Sequence, residues 1–412
     1  MRKIATYIIS ALMSVCALAQ KPSTTSEFMN AVTEYTRGNV EAAREKFQKL
    51  LKTMPDDDAV NYYLGMCEFT LNNDAEAEAH LQKAVAADST NEWYLHALAT
   101  MYNAKGEMLK SAEICEKLIG LRPGYFSNTY TLTLIGDAKL TARQDSLALR
   151  YYDQALELDP EYAPAQLSRM EVLRFMGNMP AFFVAMDQFM DNMQVRPDIK
   201  SDYLKAIMEH MDSRFYWMWG EQLVKTIDKC RELHPDDIGI QNLRMQMCYI
   251  REDYDGVVEQ CRTIQALAAA QNKPDKLVEA LSTEGDIYHQ RGDSRSAYEV
   301  YEKALKVNPE YAPVLNNYAY YLSVEGKSLK KALKMSKTAI DQEPDNATYL
   351  DTYAWILHLL GRSKEAKPYF KHAMIYGGKD SAVVLEHYAE VLKALGEDKL
   401  ASYYQSLADQ KK

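Results

Sequence analysis

The chain has 412 residues, 47% hydrophobic and 26% charged, with 17 glycines and 13 prolines, which is ordinary usage for a folded protein and excludes low-complexity or collagen-like character. Such a length exceeds what one hydrophobic core organises, so several domains or a repeat array is required. A formal net charge of −10, with no Lys/Arg cluster beyond isolated dipeptides, excludes nucleic-acid binding driven by counterion release and disfavours anionic membrane surfaces.

The first twenty residues, "MRKIATYIISALMSVCALAQ", combine a basic start at Arg2 and Lys3, an apolar stretch from Ile4 to Leu18 and the small-residue triplet Ala17-Leu18-Ala19. That pattern predicts a secretory signal peptide over residues 1–19, cleaved after Ala19. The apolar stretch is short for a bilayer span of about 20 residues, so the mature chain is expected to carry no membrane span. Cys16 offers a lipidation site, although bulky Val15 precedes it. Loss of Arg2 and Lys3 takes the formal charge from −10 to −12.

Beyond residue 24 one spacing recurs. It appears as Gly65, Ala77, Leu81 and Ala84; as Gly136, Ala148, Tyr152, Ala155 and Pro160; as Gly285, Tyr288, Gly292, Ala297, Tyr301, Ala304 and Pro309; and as Ala354, Gly361, Ala366, Phe370 and Ala373. Small residues at these slots let paired helices approach closely while Tyr and Phe fill the spaces between them. The turn inside each pair is followed as Gly38, Asn72, Gly106, Arg143, Gly177, Glu252, Gly292, Gly326, Gly361 and Gly396, mostly 34 or 35 residues apart, and the step from 177 to 252 is the large break in the rhythm. An extra, overlong repeat fills that gap, for about eleven helix pairs in all. The expected organisation is a signal peptide at 1–19, an N-terminal array at 24–177, a divergent region at 178–237 and a C-terminal array at 238–410.

G-x-x-Y in a first helix, A-x-x-x-aromatic in a second and a closing proline resemble the 34-residue tetratricopeptide repeat. The resemblance implies an all-α, right-handed superhelical solenoid that binds protein in a concave groove. The segment from Asn316 to Met374, "NNYAYYLSVEGK…YFKHAM", is similar to exported tetratricopeptide repeat proteins of Bacteroidota envelopes, which implies a periplasmic or outer-membrane-associated scaffold and transfers no catalytic residue. The chaperone-tail-binding subgroup needs Lys and Asn residues clamping a terminal carboxylate. Only Arg174 and Lys393 are basic on the inward stripe here, too far apart for a clamp.

First helices line the groove of such a solenoid. On the inward stripe stand Tyr62, Met66, Phe69, Trp93, His96 and Tyr130 in the N-terminal array, an aromatic and weakly polar lining; in the C-terminal array stand Asp286, Tyr320, Asp351, Trp355 and Glu386, more acidic. Aromatic rings with polar tips suit peptide segments, and the carboxylates favour a partner with basic residues. Packing between adjacent repeats is the competing role for each of these rings.

Within the divergent region, "RFYWMWGEQ" starts a helix whose expected cap is Asp212 or Ser213, about one and a half turns earlier than the repeat requires. Tyr216, Trp219, Leu223, Ile227 and Cys230 share one stripe, whereas Phe215, Trp217 and Met218 point elsewhere. Either the preceding Phe182, Phe183, Met186, Phe189, Met190 and Met193 thicken the core around the run, or Phe215, Trp217 and Met218 form an apolar patch for a partner or a second copy.

Five cysteines follow the signal, Cys67, Cys115, Cys230, Cys248 and Cys261, without zinc spacing. Cys248 and Cys261 form the candidate disulfide, against the alternative that all five are small buried residues. No GxSxG, HExxH, Walker or GxGxxG pattern occurs and the histidines are scattered, so no catalytic, cofactor-binding or metal-binding residue is expected. The Asp-Ser/Thr-apolar triplets at 88–90, 145–147 and 380–382 resemble envelope O-glycosylation sites. The expected function is an exported scaffold binding a protein or peptide, with self-association into a homo-oligomer through the 215–219 patch as the alternative.

Overall fold

The structure is a computed structural model that describes residues 22–411; the expected signal peptide and Cys16 lie outside the described residues. All regular structure among the described residues is helical, and it forms eleven helix pairs. They divide into two compact units, one ending at Gln194 and one beginning at Val195.

The first unit holds five pairs: Pro22–Thr36 with Val40–Thr53, Asp58–Thr70 with Asp74–Ala87, Glu92–Ala104 with Met108–Leu121, Thr129–Thr141 with Asp145–Leu158, and Ala163–Phe175 with Met179–Asp191. The second holds six: Pro197–Glu209 with Ser213–Leu233, Ile238–Ile250 with Tyr254–Ala270, Pro274–Gln290 with Ser294–Val307, Ala312–Val324 with Leu329–Gln342, Ala347–Leu359 with Ser363–Ile375, and Ala382–Ala394 with Asp398–Asp409. No helix among the described residues is long and apolar enough to cross a membrane.

The turn within each pair is a local device written in sequence. All ten residues followed above as turn markers have positive φ, from 56° at Glu252 to 87° at Gly38. The residue after each marker donates its N–H to the carbonyl five residues back, as Asn39 does to Glu34 at 3.0 Å and Asp253 to Cys248 at 2.9 Å. This is the Schellman closure, which satisfies the last carbonyls of a helix and favours glycine because the left-handed conformation costs any other residue. Glu252 bears that cost. Glu252→Gly is expected to raise the unfolding free energy by about 1 kcal/mol, less whatever the added freedom of the unfolded chain returns; the midpoint of urea unfolding measures it.

Packing between the two helices of a pair depends on glycine at two sites built alike. Gly136 faces Tyr152 and Gly285 faces Tyr301, and an added Cβ would stand 2.8 Å and 2.7 Å from the Cδ1 of those rings. Both tyrosines are fully buried. Each donates its phenol proton to the aspartate after the glycine, Tyr152 to Asp137 at 2.6 Å and Tyr301 to Asp286. Successive pairs are fastened by a second recurring contact. The side-chain amides of Asn61, Gln166 and Gln241 donate to the carbonyls of Pro55, Pro160 and Pro235, each six residues back in the inter-repeat turn, at 3.1, 2.7 and 2.9 Å.

The pair at 197–233 departs from this scheme. Its connection contains no positive-φ residue. Instead Asp212 caps the 21-residue helix Ser213–Leu233, its carboxylate accepting from the Phe215 N–H at 2.6 Å. The early start expected from the sequence is thus a side-chain cap replacing a Schellman turn.

The candidate disulfide is corrected by the structure: Cys248 and Cys261 are free thiols, like Cys67, Cys115 and Cys230. Arg244 donates to the Cys248 sulfur at 2.8 Å, while Cys261 turns to the sulfur of Met245 at 3.4 Å. The two thiols serve different packing contacts.

Candidate protein-binding groove

In the N-terminal unit, the inward residues divide by depth. Tyr62, Met66 and Phe69 are half-buried and pack against the core around Leu81, Leu95 and Leu98. The Tyr62 ring lies 5.1 Å from both Tyr63 and Tyr94, and burial raises its phenol pKa. These three residues fill space between repeats. Trp93 and Tyr130, about half exposed, and His96 stay at the surface. His96 and Tyr130 border one cavity, where Asn103 donates its side-chain amide to the Tyr130 hydroxyl at 2.8 Å.

In the C-terminal unit, first helices 312–324, 347–359 and 382–394 lie side by side. They bring Tyr320, Asp351 and Trp355 together with two histidines. Asp351 is buried, 4% exposed, and its two oxygens lie 2.9 and 3.1 Å from Nδ1 of His387. An ionised carboxylate only accepts, so Nδ1 carries the proton and the Asp351 pair fixes the ring's orientation. The indole of Trp355 stacks on His387, centroids 4.0 Å apart and planes 14° apart, and on His358 at 5.3 Å and 26°. Trp355 is therefore held between two imidazoles. Tyr320 stands 6.2 Å from His387, and burial raises its phenol pKa. Asn316, one helical turn before Tyr320, is buried with an Oδ1 that has no hydrogen-bond partner. Glu390 approaches Nε2 of His358 at 3.8 Å, on the helix that also carries Glu386, half-buried.

Asp286 does not join this cluster. Its Oδ1 accepts from Tyr301 and from the Asn317 amide at 3.0 Å, so it braces the repeat, and burial holds its carboxyl above the ordinary range. Arg174 pairs with Glu171 at 2.6 Å within the N-terminal unit, whereas Lys393 is exposed in the C-terminal one. In the apolar run, Leu223, Ile227 and Cys230 are buried, Tyr216, Trp219 and Phe215 half-buried, and Met218 is 49% and Trp217 84% exposed. Of the aromatic and methionine set before it, Phe182, Phe183, Met186, Phe189 and Met190 are buried and Met193 is exposed.

His387 is the residue that sequence reasoning passed over, because it stands one place beyond the inward stripe and was counted with the scattered histidines. Its signal is a spacing: Asp351 lies 36 residues earlier, close to one repeat, so a side chain one step off the stripe reaches back to the preceding first helix.

No group of three or more His, Cys, Asp or Glu among the described residues is placed to hold a metal ion. Histidines elsewhere couple the fold to pH. Burial holds His80, His234 and His289 below the ordinary imidazole range, helped at His234 by Lys200, whose Nζ lies 2.9 Å from its ring. Their folded pKa values lie below the unfolded one, so the unfolded chain takes up protons first. The stability they contribute is fully present above about pH 6.5, the unfolded value, and is lost as pH falls from there through their lowered folded values. The melting temperature is expected to drop between neutral pH and pH ~5, and to drop less when all three are replaced by glutamine; thermal melts across that range measure it.

Two family models described as tetratricopeptide repeat match the chain, one over residues 243–410 and one over residues 28–92. Protein O-mannosyl-transferase TMTC3 of Homo sapiens is 29% identical over 137 residues, which make up 32% of this chain and 15% of that protein, so the chain spans a small part of this relative's length. Among solved structures, Naa15/Naa10 bound to HypK-THB matches at 13% identity over 93% of this chain and 68% of that one, TM-score 0.43. Yeast Tom70 matches at 13% over 95% and 92%, TM-score 0.39, and the MamA protein at 17% over 42% and 94%, TM-score 0.35.

Proposed function

We propose, from the premise that this chain belongs to the tetratricopeptide repeat family, that it is a non-catalytic scaffold exported to the periplasm or outer membrane, where it binds a protein or peptide partner in its first-helix groove. The observation that carries the reading is the cluster of Tyr320, Asp351, Trp355 and His387. Three consecutive repeats place aromatic and polar groups on one face, with the Trp355 ring pre-ordered between two imidazoles. Rigid aromatic surface beside carboxylates favours a segment with basic residues, since rings are ordered at low entropic cost and Glu386 and Glu390 supply the charge. The N-terminal pattern of basic start, apolar stretch and small-residue triplet supports export, and the role we assign is in envelope assembly, secretion or regulation.

Affinity capture from the native envelope tests this, comparing the intact chain with Glu386→Gln/Glu390→Gln and with Trp355→Ala. A partner held by the intact protein, released at high salt and weakened in both variants is expected; equal capture by all three sinks the groove reading. The exposure of Trp217 favours a second reading, self-association through the patch of Phe215, Trp217 and Met218. Sedimentation at several concentrations would then show an oligomer that Trp217→Ala/Met218→Ala abolishes.

A further inference from the structure

The cavity bordered by His96 and Tyr130 has its origin in one long connection. In the N-terminal unit the other three connections between successive pairs are four residues long, but seven residues separate Leu121 from Thr129. The added residues form a short helical turn, Pro123–Phe126, and its Phe126 packs onto the core beside Cys115. This wedge leaves a cavity of about 270 Å³ between the third and fourth pairs, just below the ~300 Å³ at which ligand-sized pockets begin. It has room for one large side chain.

Its lining is two-toned, with His96 at its edge. Leu118, Leu134 and Phe126 give an apolar floor, while Asn103, Tyr130 and Thr100 give a polar rim, and no Asp, Glu, Lys or Arg borders it. The Tyr130 hydroxyl accepts from the Asn103 amide, leaving its own proton and the Asn103 carbonyl oxygen to face a ligand. A charged side chain would lose hydration there with no counter-charge. An aromatic ring would bury its faces on the floor and turn its edge or hydroxyl to the rim.

We propose that this cavity is an anchor site for a neutral aromatic side chain, tyrosine above all, of the partner segment. It rests on reading first-helix faces as partner surfaces and assigns the N-terminal unit a specificity of its own, a neutral anchor, distinct in kind from the acidic aromatic surface of the C-terminal unit.

Cys115 reports on the site directly, because it lines the cavity and is half-buried where the other described cysteines are buried. With the full chain at about pH 9, where thiolate forms more readily, its alkylation is followed by peptide mass spectrometry. N-acetyl-tyrosinamide at ~10 mM is expected to slow labelling about fivefold, as a Kd of ~2–3 mM gives; N-acetyl-leucinamide is expected to protect less, and N-acetyl-lysinamide not at all. Saturation-transfer NMR with the same compounds provides a second readout. Its tyrosinamide signal is expected to vanish in Thr100→Trp, which fills the mouth from an exposed position. The proposal is overturned if tyrosinamide gives neither protection nor transfer, if leucinamide or lysinamide matches it, or if the signal survives in Thr100→Trp. No partner enters these assays, so their failure is distinguishable from a failure of the capture experiment.

Discussion

His387→Ala is expected to destabilise the C-terminal unit by about 3 kcal/mol or more. Asp351 is buried and both of its oxygens face the His387 ring. Removing the imidazole leaves a desolvated carboxylate without that partner, and the stranded charge costs more than the pair itself contributes. The same change strips one face from Trp355, so its fluorescence and its packing both report the loss. A second substitution identifies the cause: His387→Ala/Asp351→Asn is expected to regain about 1 kcal/mol or more, because a neutral amide is cheaper to bury unpaired than a carboxylate. Urea titrations of the two variants measure the difference. If the single and double variants unfold together, the pair is not a charge held by its partner.

Gly285→Ala is expected to cost about 3 kcal/mol, near the upper end for overpacking by one carbon. The new Cβ would meet the Tyr301 ring at less than 3 Å. The ring has nowhere to go, since Tyr301 is fully buried and its hydroxyl is tied to Asp286. Gly136→Ala is expected to do the same against Tyr152, in the other unit. Gly120 supplies the control, because nothing lies within 4 Å of its added Cβ; there alanine is expected to leave stability at or slightly above the starting value, as helix propensity alone dictates. Unfolding midpoints of the three variants check the contrast, and equal loss at Gly285 and Gly120 would refute the packing argument.

The repeat was legible because its determinants are local. A turn residue in the left-handed region leaves a mark, Gly or Asn, that recurs at the repeat length; Arg143, 34 residues before Gly177, keeps that spacing without the mark, and both it and Glu252 hold the same conformation, with φ of 60° and 56°. Asp212 was legible for the same reason, a cap being a property of three residues. Less local features were harder to read. Tyr62 and Asp286 stand on the inward stripe, yet whether they face the groove depends on neighbours in adjacent helices, and both are drawn into packing by Tyr94 and Tyr301. The Asp351–His387 pair joins different repeats, so neither residue is distinctive within its own. The cavity of the N-terminal unit accompanies three added residues in one connection, and its lining comes from helices of two successive pairs as well as that connection.

On the proposed function, the first-helix face of the C-terminal unit holds a partner. Site-specific photo-cross-linking in the native host tests it most directly, with a photoreactive residue placed in turn at Tyr320, at Glu390, at Trp217 and at Lys303, which is exposed on a second helix. Cross-links from Tyr320 and Glu390 to one and the same foreign protein, absent from Lys303, are predicted. Silence at both groove positions, with Trp217 joining only to a second copy of the chain, would contradict the claim and leave self-association as the function of this solenoid.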